Sequence, residues 1–252
     1  MLAPLDLVDH ALFLILAVVL GPRAYFAFRR LRASGPGEQA ARRTHAYRMA
    51  MISQWTLSAA LLANWVVKAR GWESLGVVPR LTPGAVGVAA GLIIVIGLMM
   101  IQNRRPAARE RTMERTRERV RALAFMMPHS ARELRLFVAL SVTAGICEEL
   151  LFRGFMMWYL AHWTGEVQAA LLSSVLFGLG HAYQGARGIL LTGLIGAFMA
   201  GVYLLSGSLY LPMLVHAAVD VTAGRTGYAV LRDESEPADE AEGTPRADAT
   251  PA

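Results

Sequence analysis

The chain has 252 residues, of which 55% are hydrophobic and only 17% are charged, and its mean hydropathy is +0.40. Soluble domains carry about 25% charged residues, so this composition excludes an ordinary water-soluble globule. It also excludes a disordered chain, and the single cysteine excludes a disulfide-stapled secreted scaffold. The formal net charge of +6 does not indicate nucleic-acid binding, because the basic residues lie between long apolar runs.

Apolar runs recur along the chain at the length that a membrane-spanning helix needs. A hydrocarbon core about 30 Å thick is crossed by roughly 20 mostly apolar helical residues. The sequence therefore predicts an all-α polytopic membrane protein with about seven spans, or six to eight if boundaries shift. In chain order the predicted spans are 7–28, 49–67, 84–101, 136–160, 167–181, 189–205 and 210–223.

Two arginine-rich connections predict the orientation of these spans. Residues 29–48 contain six Arg and residues 102–135 contain ten, whereas the connection between the second and third spans has only Lys68, Arg70 and Arg80. Lys and Arg accumulate on the cytoplasmic side of membrane proteins. We therefore expect both connections and the C-terminus on the cytoplasmic side, and the N-terminus on the outer side.

The second connection has a pattern of its own. Residues 104–127 first mix Arg with Glu and then become apolar. One face at helical spacing carries the apolar residues Met113, Val120, Leu123 and Met127. This pattern favours an amphipathic helix lying on anionic lipid headgroups, and a docking site for a cytosolic partner is the alternative.

Charge and hydropathy divide the chain into four parts. We predict N-terminal transmembrane helices over 1–103, a basic amphipathic linker over 104–135, a catalytic core over 136–224 and a tail over 225–252. From Asp233 onward the tail has seven acids and three prolines. Such a composition predicts a disordered, cytoplasmic segment.

Six ionisable residues fall at membrane depth in the C-terminal spans. Placing each one there costs about 2.5–3.5 kcal/mol on insertion scales, so clustered groups of this kind indicate a functional site. The six are Glu148, Glu149, Arg153, His181, His216 and Asp220.

The spacing of these residues indicates how they cluster. Glu149 and Arg153 are four residues apart with the acid first, which favours an ion pair on one helix face. Glu148 points about 100° away from Glu149 on an α-helix, so we do not expect both carboxylates to face one pocket. Inward-facing polar stripes on three spans would bring Glu148 together with His181, His216 and Asp220. The alternatives are that Glu148 only locks its helix and that the histidines only pack.

Three motifs on successive apolar segments resemble those of a known family. Glu148 to Arg153 matches E-E-x-x-x-R, Phe177 to His181 matches F-x-x-x-H, and His216 to Asp220 matches H-x-x-x-[N/D]. In this order they resemble the CPBP family of intramembrane proteases, which includes CAAX prenyl endopeptidases and bacterial Abi-like proteins. The resemblance covers about residues 136–224.

The resemblance implies a hydrolytic role for each matching position. Glu148 takes the place of the general base that activates a water molecule, and His181 of the residue that holds that water. His216 and Asp220 take the place of the residues that bind the scissile carbonyl and its oxyanion. The supporting positions are Glu149, Arg153 and Phe177.

Asp220 departs from the asparagine of the prenyl-processing eukaryotic members. An amide donates a hydrogen bond at any pH, whereas a carboxyl group donates only when it is protonated. An ionised Asp220 would instead orient His216 or ligate a metal ion.

Catalysis without a metal and catalysis by zinc both fit the residue types. Two histidines and two carboxylates form a credible zinc set, here His181, His216, Glu148 and Asp220. The sequence has no H-E-x-x-H motif, so the zincin pattern gives this alternative no support. A third idea, that Cys147 is a nucleophile, is disfavoured because a free cysteine is usually a small buried hydrophobic residue.

The resemblance implies an endopeptidase in a bacterial cytoplasmic membrane. Its substrate would be a membrane-embedded or lipid-modified peptide or protein, for example a prenylated one. Two alternatives from other classes stay open. Clustered histidines and carboxylates also serve proton-coupled transporters, and a non-catalytic immunity or sensor protein could keep the same residues.

Overall fold

The computed structural model describes residues 4–80, 82–102 and 106–235, and over these residues every regular element is helical. The N-terminal helices are α1 (Leu7–Arg32, with a π-helical turn at Ile15–Val19), α2 (Pro36–Val67), the short α3 (Trp72–Leu75) and α4 (Pro83–Gln102). The linker forms α5 (Pro106–Ala122) and a 3-10 turn (Ala124–Met126). The C-terminal helices are α6 (131–161, with a π-helical segment at Glu149–Met156), α7 (Glu166–Gly180), α8 (Gly185–Ser206) and α9 (Tyr210–Ser235).

Each of the seven predicted spans coincides with one helix: α1, α2, α4, α6, α7, α8 and α9. In the described part of the chain, Leu7–Arg32, Gly37–Val67 and Ala182–Ser206 are long and apolar enough to cross a membrane. α7 is apolar but has only 15 residues, about 22 Å at 1.5 Å per residue. The all-α polytopic fold is therefore confirmed, and α7 is too short to cross a core of about 30 Å upright.

The two Arg-rich connections meet at one end of the bundle. Near the end of α1, the Phe28 ring stacks on Tyr183 with centroids 4.3 Å apart and meets Phe125 edge-on at 6.2 Å. Tyr47 on α2 donates a hydrogen bond to the carbonyl of Met126. The connections around 33, 123–130 and 182–184 therefore share this end, as an up-and-down arrangement of seven spans requires.

The opposite end is held by a buried ion pair. Arg70 donates from Nη1 to Asp9 Oδ1 at 2.8 Å and from Nη2 to Asp9 Oδ2 at 2.6 Å, and Asn64 donates to Asp9 Oδ1 at 3.1 Å. The Arg70 guanidinium also lies 4.8 Å from the ring centroid of Trp158. This network joins α1, the end of α2 and the end of α6.

A second buried pair joins α2 to α6 at the Arg-rich end. Arg43 donates to both carboxylate oxygens of Glu133, at 2.9 and 3.0 Å from Nη2. Glu133 belongs to the first turn of α6, where the Ser130 hydroxyl accepts from the Glu133 backbone N–H and caps the helix. α2 is thus attached at both ends, and its middle lies against the middle of α6.

The last helix is longer than the sequence predicts. It continues to Ser235, so residues 225–235, which were assigned to a disordered tail, are helical. They are held because Gly227 lies against Met127 and because Arg121 on α5 pairs with Glu234 at 2.9 Å. The rest of the predicted tail, 236–252, lies outside the described residues.

The linker helix also differs in part from the prediction. Val120 and Met127, placed on a lipid-facing stripe, are buried within the protein, whereas Met113 is exposed. The apolar stripe therefore packs on neighbouring helices at its C-terminal end.

Gly145 allows α6 and α9 to approach each other closely. A Cβ atom at this position would lie 2.8 Å from the backbone nitrogen of Ala217 and 2.9 Å from the carbonyl oxygen of Met213. These are backbone atoms that cannot rotate away. The contact sets the distance between Glu148 on α6 and His216 on α9.

We expect Gly145→Ala to destabilise the protein by about 1–3 kcal/mol, as overpacking does, and to reduce any activity that depends on His216. Gly201→Ala is the matched control, because nothing lies within 4 Å of a Cβ there and alanine favours the helix by up to about 1 kcal/mol. Thermal unfolding in detergent measures both variants. Equal melting temperatures for the two would contradict the role of Gly145.

Candidate active site

A fully buried ion pair lies at the centre of the C-terminal helices. Arg153 Nη1 donates to Glu149 Oε1 at 2.9 Å, and both side chains are at most 1% exposed. Arg153 also donates from Nη2 to the carbonyl of Gly196 on α8 at 3.1 Å. Its guanidinium lies 4.4 Å from the ring centroid of Phe177 on α7. The predicted ion pair thus joins α6, α7 and α8.

His216 links this pair to the other acidic residues. Its Nδ1 lies 2.7 Å from Glu149 Oε1, and because a carboxylate accepts, Nδ1 carries a proton. The other nitrogen, Nε2, faces Glu148 Oε2 at 3.9 Å and Asp220 Oδ2 at 3.6 Å. The ring therefore connects three carboxylates from α6 and α9.

Glu148 and Glu149 both lie beside His216, although they are successive residues of α6. Glu149 contacts one ring nitrogen of His216, and Glu148 faces the other. One reason is that α6 changes to a π-helix at Glu149, where more residues per turn bring successive side chains closer in direction. The other is that His216 lies between the two acids and offers a nitrogen to each side.

His181 follows the last residue of α7 and faces the same region. Its Nδ1 lies 2.8 Å from the carbonyl of Phe177. A carbonyl only accepts, so Nδ1 carries the proton and Nε2 of the neutral ring is an acceptor. His181 lies near the Glu148 carboxylate. The short α7 ends at Gly180, directly before this histidine.

Exposure increases from the ion pair outward. Glu149 is 0% exposed, the side chains of His216 and Glu148 are 12% and 16% exposed, and that of Asp220 is 40% exposed. The cluster thus has a dry inner part and an outer part that is exposed to solvent. Glu148 lies at the boundary between the two.

Sequence reasoning missed two residues of this site. Gln54 in the middle of α2 donates from Nε2 to Glu148 Oε1 at 2.7 Å. Tyr183 lies with its ring centroid 5.7 Å from that of His181, in the neighbourhood of Glu148 and Asp220. An amide inside a predicted apolar span was the available signal for Gln54, because any intramembrane polar group needs a partner.

The zinc alternative named His181, His216, Glu148 and Asp220 as ligands. Within residues 4–80, 82–102 and 106–235, no group of three or more His, Cys, Asp or Glu side chains is placed to hold a metal ion. The only cysteine, Cys147, is completely buried.

Comparison with known proteins gives a family match in the C-terminal half of the chain. Residues 130–222 match the family model described as type II CAAX prenyl endopeptidase, Rce1-like. The chain carries an Rce1-like domain. The match contains all three motifs, so the resemblance to the CPBP intramembrane proteases is confirmed. Neither the curated proteins nor the solved structures include a match to the chain.

The Rce1-like domain gives the chain a general class. It implies a CAAX-type protease with intramembrane endopeptidase activity, and the apolar helices make the protein an integral membrane protein. The matched segment begins at the Ser130 cap of α6 and ends within α9. Gln54 on α2 therefore lies outside it.

We expect Arg153→Ala to lower stability more than Glu148→Gln does. Removing Arg153 leaves Glu149 buried without its charged partner, a change that typically costs about 3–5 kcal/mol. Glu148 is partly exposed, and glutamine keeps its shape. Thermal unfolding of both purified variants in the same detergent measures the difference. If the two variants have the same melting temperature, the Glu149–Arg153 pair does not stabilise the fold.

Proposed function

We propose that this protein is an intramembrane endopeptidase in which Glu148 activates a water molecule for attack on a peptide bond. The observation that supports it most is the partly exposed Glu148 carboxylate, which faces His216 Nε2 at 3.9 Å and lies near His181. A general base needs hydrogen-bond reach to water, and the tetrahedral oxygen needs donors aimed at it. Both kinds of group meet here.

In the first step, Glu148 takes a proton from the water while the water oxygen bonds to the scissile carbonyl carbon. His181 Nε2 accepts the other hydrogen of that water and orients it, since its Nδ1 is held by Phe177. The carbonyl π electrons move to the oxygen and form an oxyanion. His216 in its charged form donates from Nε2 to this oxyanion, while Glu149 holds its Nδ1.

In the second step, the tetrahedral intermediate collapses and the carbon–nitrogen bond breaks. The proton held by Glu148 passes to the leaving nitrogen, which departs as an amine. The carbonyl re-forms within a carboxyl group, and Glu148 returns to its starting state. No atom or electron beyond those of water and the peptide is needed.

Asp220 has a supporting part in this scheme. Its Oδ2 lies 3.6 Å from His216 Nε2, on the side opposite the Glu149 contact. An ionised carboxylate there stabilises the charged ring that donates to the oxyanion. Asp220 thus acts through His216, which accounts for a carboxylate where other members have an amide.

An apolar groove beside His181 suggests the substrate class. It has a volume of about 430 Å³ and runs between α1 and the end of α7, where Gly180 and Ala182 flank the histidine. The α1 side is lined by apolar residues that include Leu16, Val18 and Phe26. We infer that the apolar part of a membrane-embedded or prenylated substrate lies here, with its peptide bond at Glu148.

We expect Glu148→Gln to reduce cleavage by at least about 10²–10⁴-fold, because glutamine cannot accept a proton from water. The measurement is turnover of a farnesylated CAAX peptide by purified, folded protein. The control is that the variant keeps the melting temperature of the wild type. The proposed steps use no metal ion, so wild-type activity should persist in the metal chelator 1,10-phenanthroline. Normal turnover by Glu148→Gln would refute the role of Glu148 as the general base. Proton flux without peptide cleavage by the wild-type protein would favour a proton-coupled transporter.

We further propose that the Arg-rich end faces the cytoplasm of a bacterial cell. Arg111, Arg115 and Arg119 are exposed on α5, where they would contact anionic headgroups. Together with the other Arg residues of the two connections they make this end strongly basic, which is typical of the cytoplasmic side.

Single cysteines in a Cys147→Ala background test this orientation. Ala33 lies at the Arg-rich end and Thr164 lies in the connection between α6 and α7 at the other end, and both are exposed. In right-side-out vesicles, an impermeant maleimide should label Thr164→Cys and should label Ala33→Cys only after the vesicles are opened. The reverse pattern would contradict the proposed orientation.

A further inference from the structure

Gln54 is the one described residue of the N-terminal helices with a hydrogen bond to Glu148. Its Nε2 donates to Glu148 Oε1 at 2.7 Å, a short distance for a bond from an amide to a carboxylate. This occupies one carboxylate oxygen and leaves Oε2 as the oxygen that faces His216. A carboxylate fixed in this way presents a single, defined oxygen to water.

The other end of the same amide is unsatisfied. Gln54 Oε1 is buried and has no hydrogen-bond partner among the described residues. A buried acceptor without a partner lowers the stability of a fold. An apolar side chain would attach α2 to α6 without leaving an acceptor unsatisfied. In addition, buried ion pairs of Arg43 and of Arg70, just after the end of α2, already attach this helix.

We propose that Gln54 is a positioning residue that holds the Glu148 carboxylate so that Oε2 is the base. This inference rests on the proposed function of Glu148. It assigns part of the catalytic geometry to α2, which lies outside the matched segment 130–222. The amide itself neither contacts the substrate nor transfers a proton.

The test compares Gln54→Leu with Trp55→Phe. Leucine removes the donor and the unsatisfied acceptor together. Phenylalanine removes the neighbouring bond between α2 and α6, from Trp55 Nε1 to Thr143 Oγ1 at 3.3 Å, and does not touch Glu148. The assay uses a farnesylated CAAX peptide with an internally quenched fluorophore, and thermal unfolding is measured alongside it.

For Gln54→Leu we expect kcat to fall by about 10–100-fold with KM unchanged, because a misplaced catalytic group costs rate and not binding. Its melting temperature should be equal to or above that of the wild type. Trp55→Phe should keep the wild-type kcat. Wild-type kcat in Gln54→Leu, or a fall in kcat that only accompanies a fall in melting temperature, would overturn the inference.

The proposed function and this inference fail in different ways. If Glu148→Gln is inactive and Gln54→Leu is fully active, the base assignment stands and only the positioning role is lost. A double-mutant cycle adds a further distinction. In a Glu148→Gln background, Gln54→Leu should have no additional effect on residual cleavage, whereas independent effects that multiply would contradict the coupling.

A labelling experiment decides the inference without any cleavage assay. Dicyclohexylcarbodiimide reacts with protonated carboxyl groups, and a donated hydrogen bond stabilises the ionised form. Mass spectrometry should therefore find more labelled Glu148 in Gln54→Leu than in the wild type or Trp55→Phe. Equal labelling in all three proteins would show that Gln54 does not hold the carboxylate.

Discussion

The carboxylate of Glu149 is the point on which the C-terminal helices depend. One oxygen, Oε1, accepts from both Arg153 and His216, and neither Glu149 nor Arg153 is exposed to solvent. A charge buried in this way is tolerated only when it is paired and hydrogen-bonded. Because Arg153 also binds the Gly196 carbonyl and lies over Phe177, one ion pair fixes α6, α7, α8 and α9 relative to each other. The catalytic geometry we propose is built on the outer side of this pair.

The N-terminal half supports the site in a different way. Buried pairs at both ends of α2, Arg43–Glu133 and Arg70–Asp9, attach it to α6 and to its neighbours. A helix held at both ends keeps its middle in register, and the middle of α2 carries Gln54 against Glu148. These pairs are strong constraints because their side chains are buried within the protein, where breaking a pair leaves an uncompensated charge.

Much of the architecture could be predicted from hydropathy alone. The charge-free run 84–101 falls on α4, and the run 210–223 falls within α9, because the length of a membrane helix follows from bilayer thickness. The same rule that makes intramembrane charges expensive singled out Glu148, His181, His216 and Asp220. The sequence did not predict those parts of the structure that depend on packing between distant segments. Residues 225–235 follow the last predicted span, yet they continue α9 and contact Met127 and Arg121.

The sequence by itself determined which residues lie at membrane depth and which motifs they form, since composition and spacing are local properties read along one chain. It also determined the Glu149–Arg153 pair, whose partners are four residues apart on one helix. Only the tertiary structure decided that both acids reach one imidazole, because that depends on a π-helical turn and on the position of α9 beside Gly145. It alone decided that Gln54, 94 residues away in sequence, holds Glu148. Contacts between distant segments depend on how helices pack, and no periodicity along the chain encodes them.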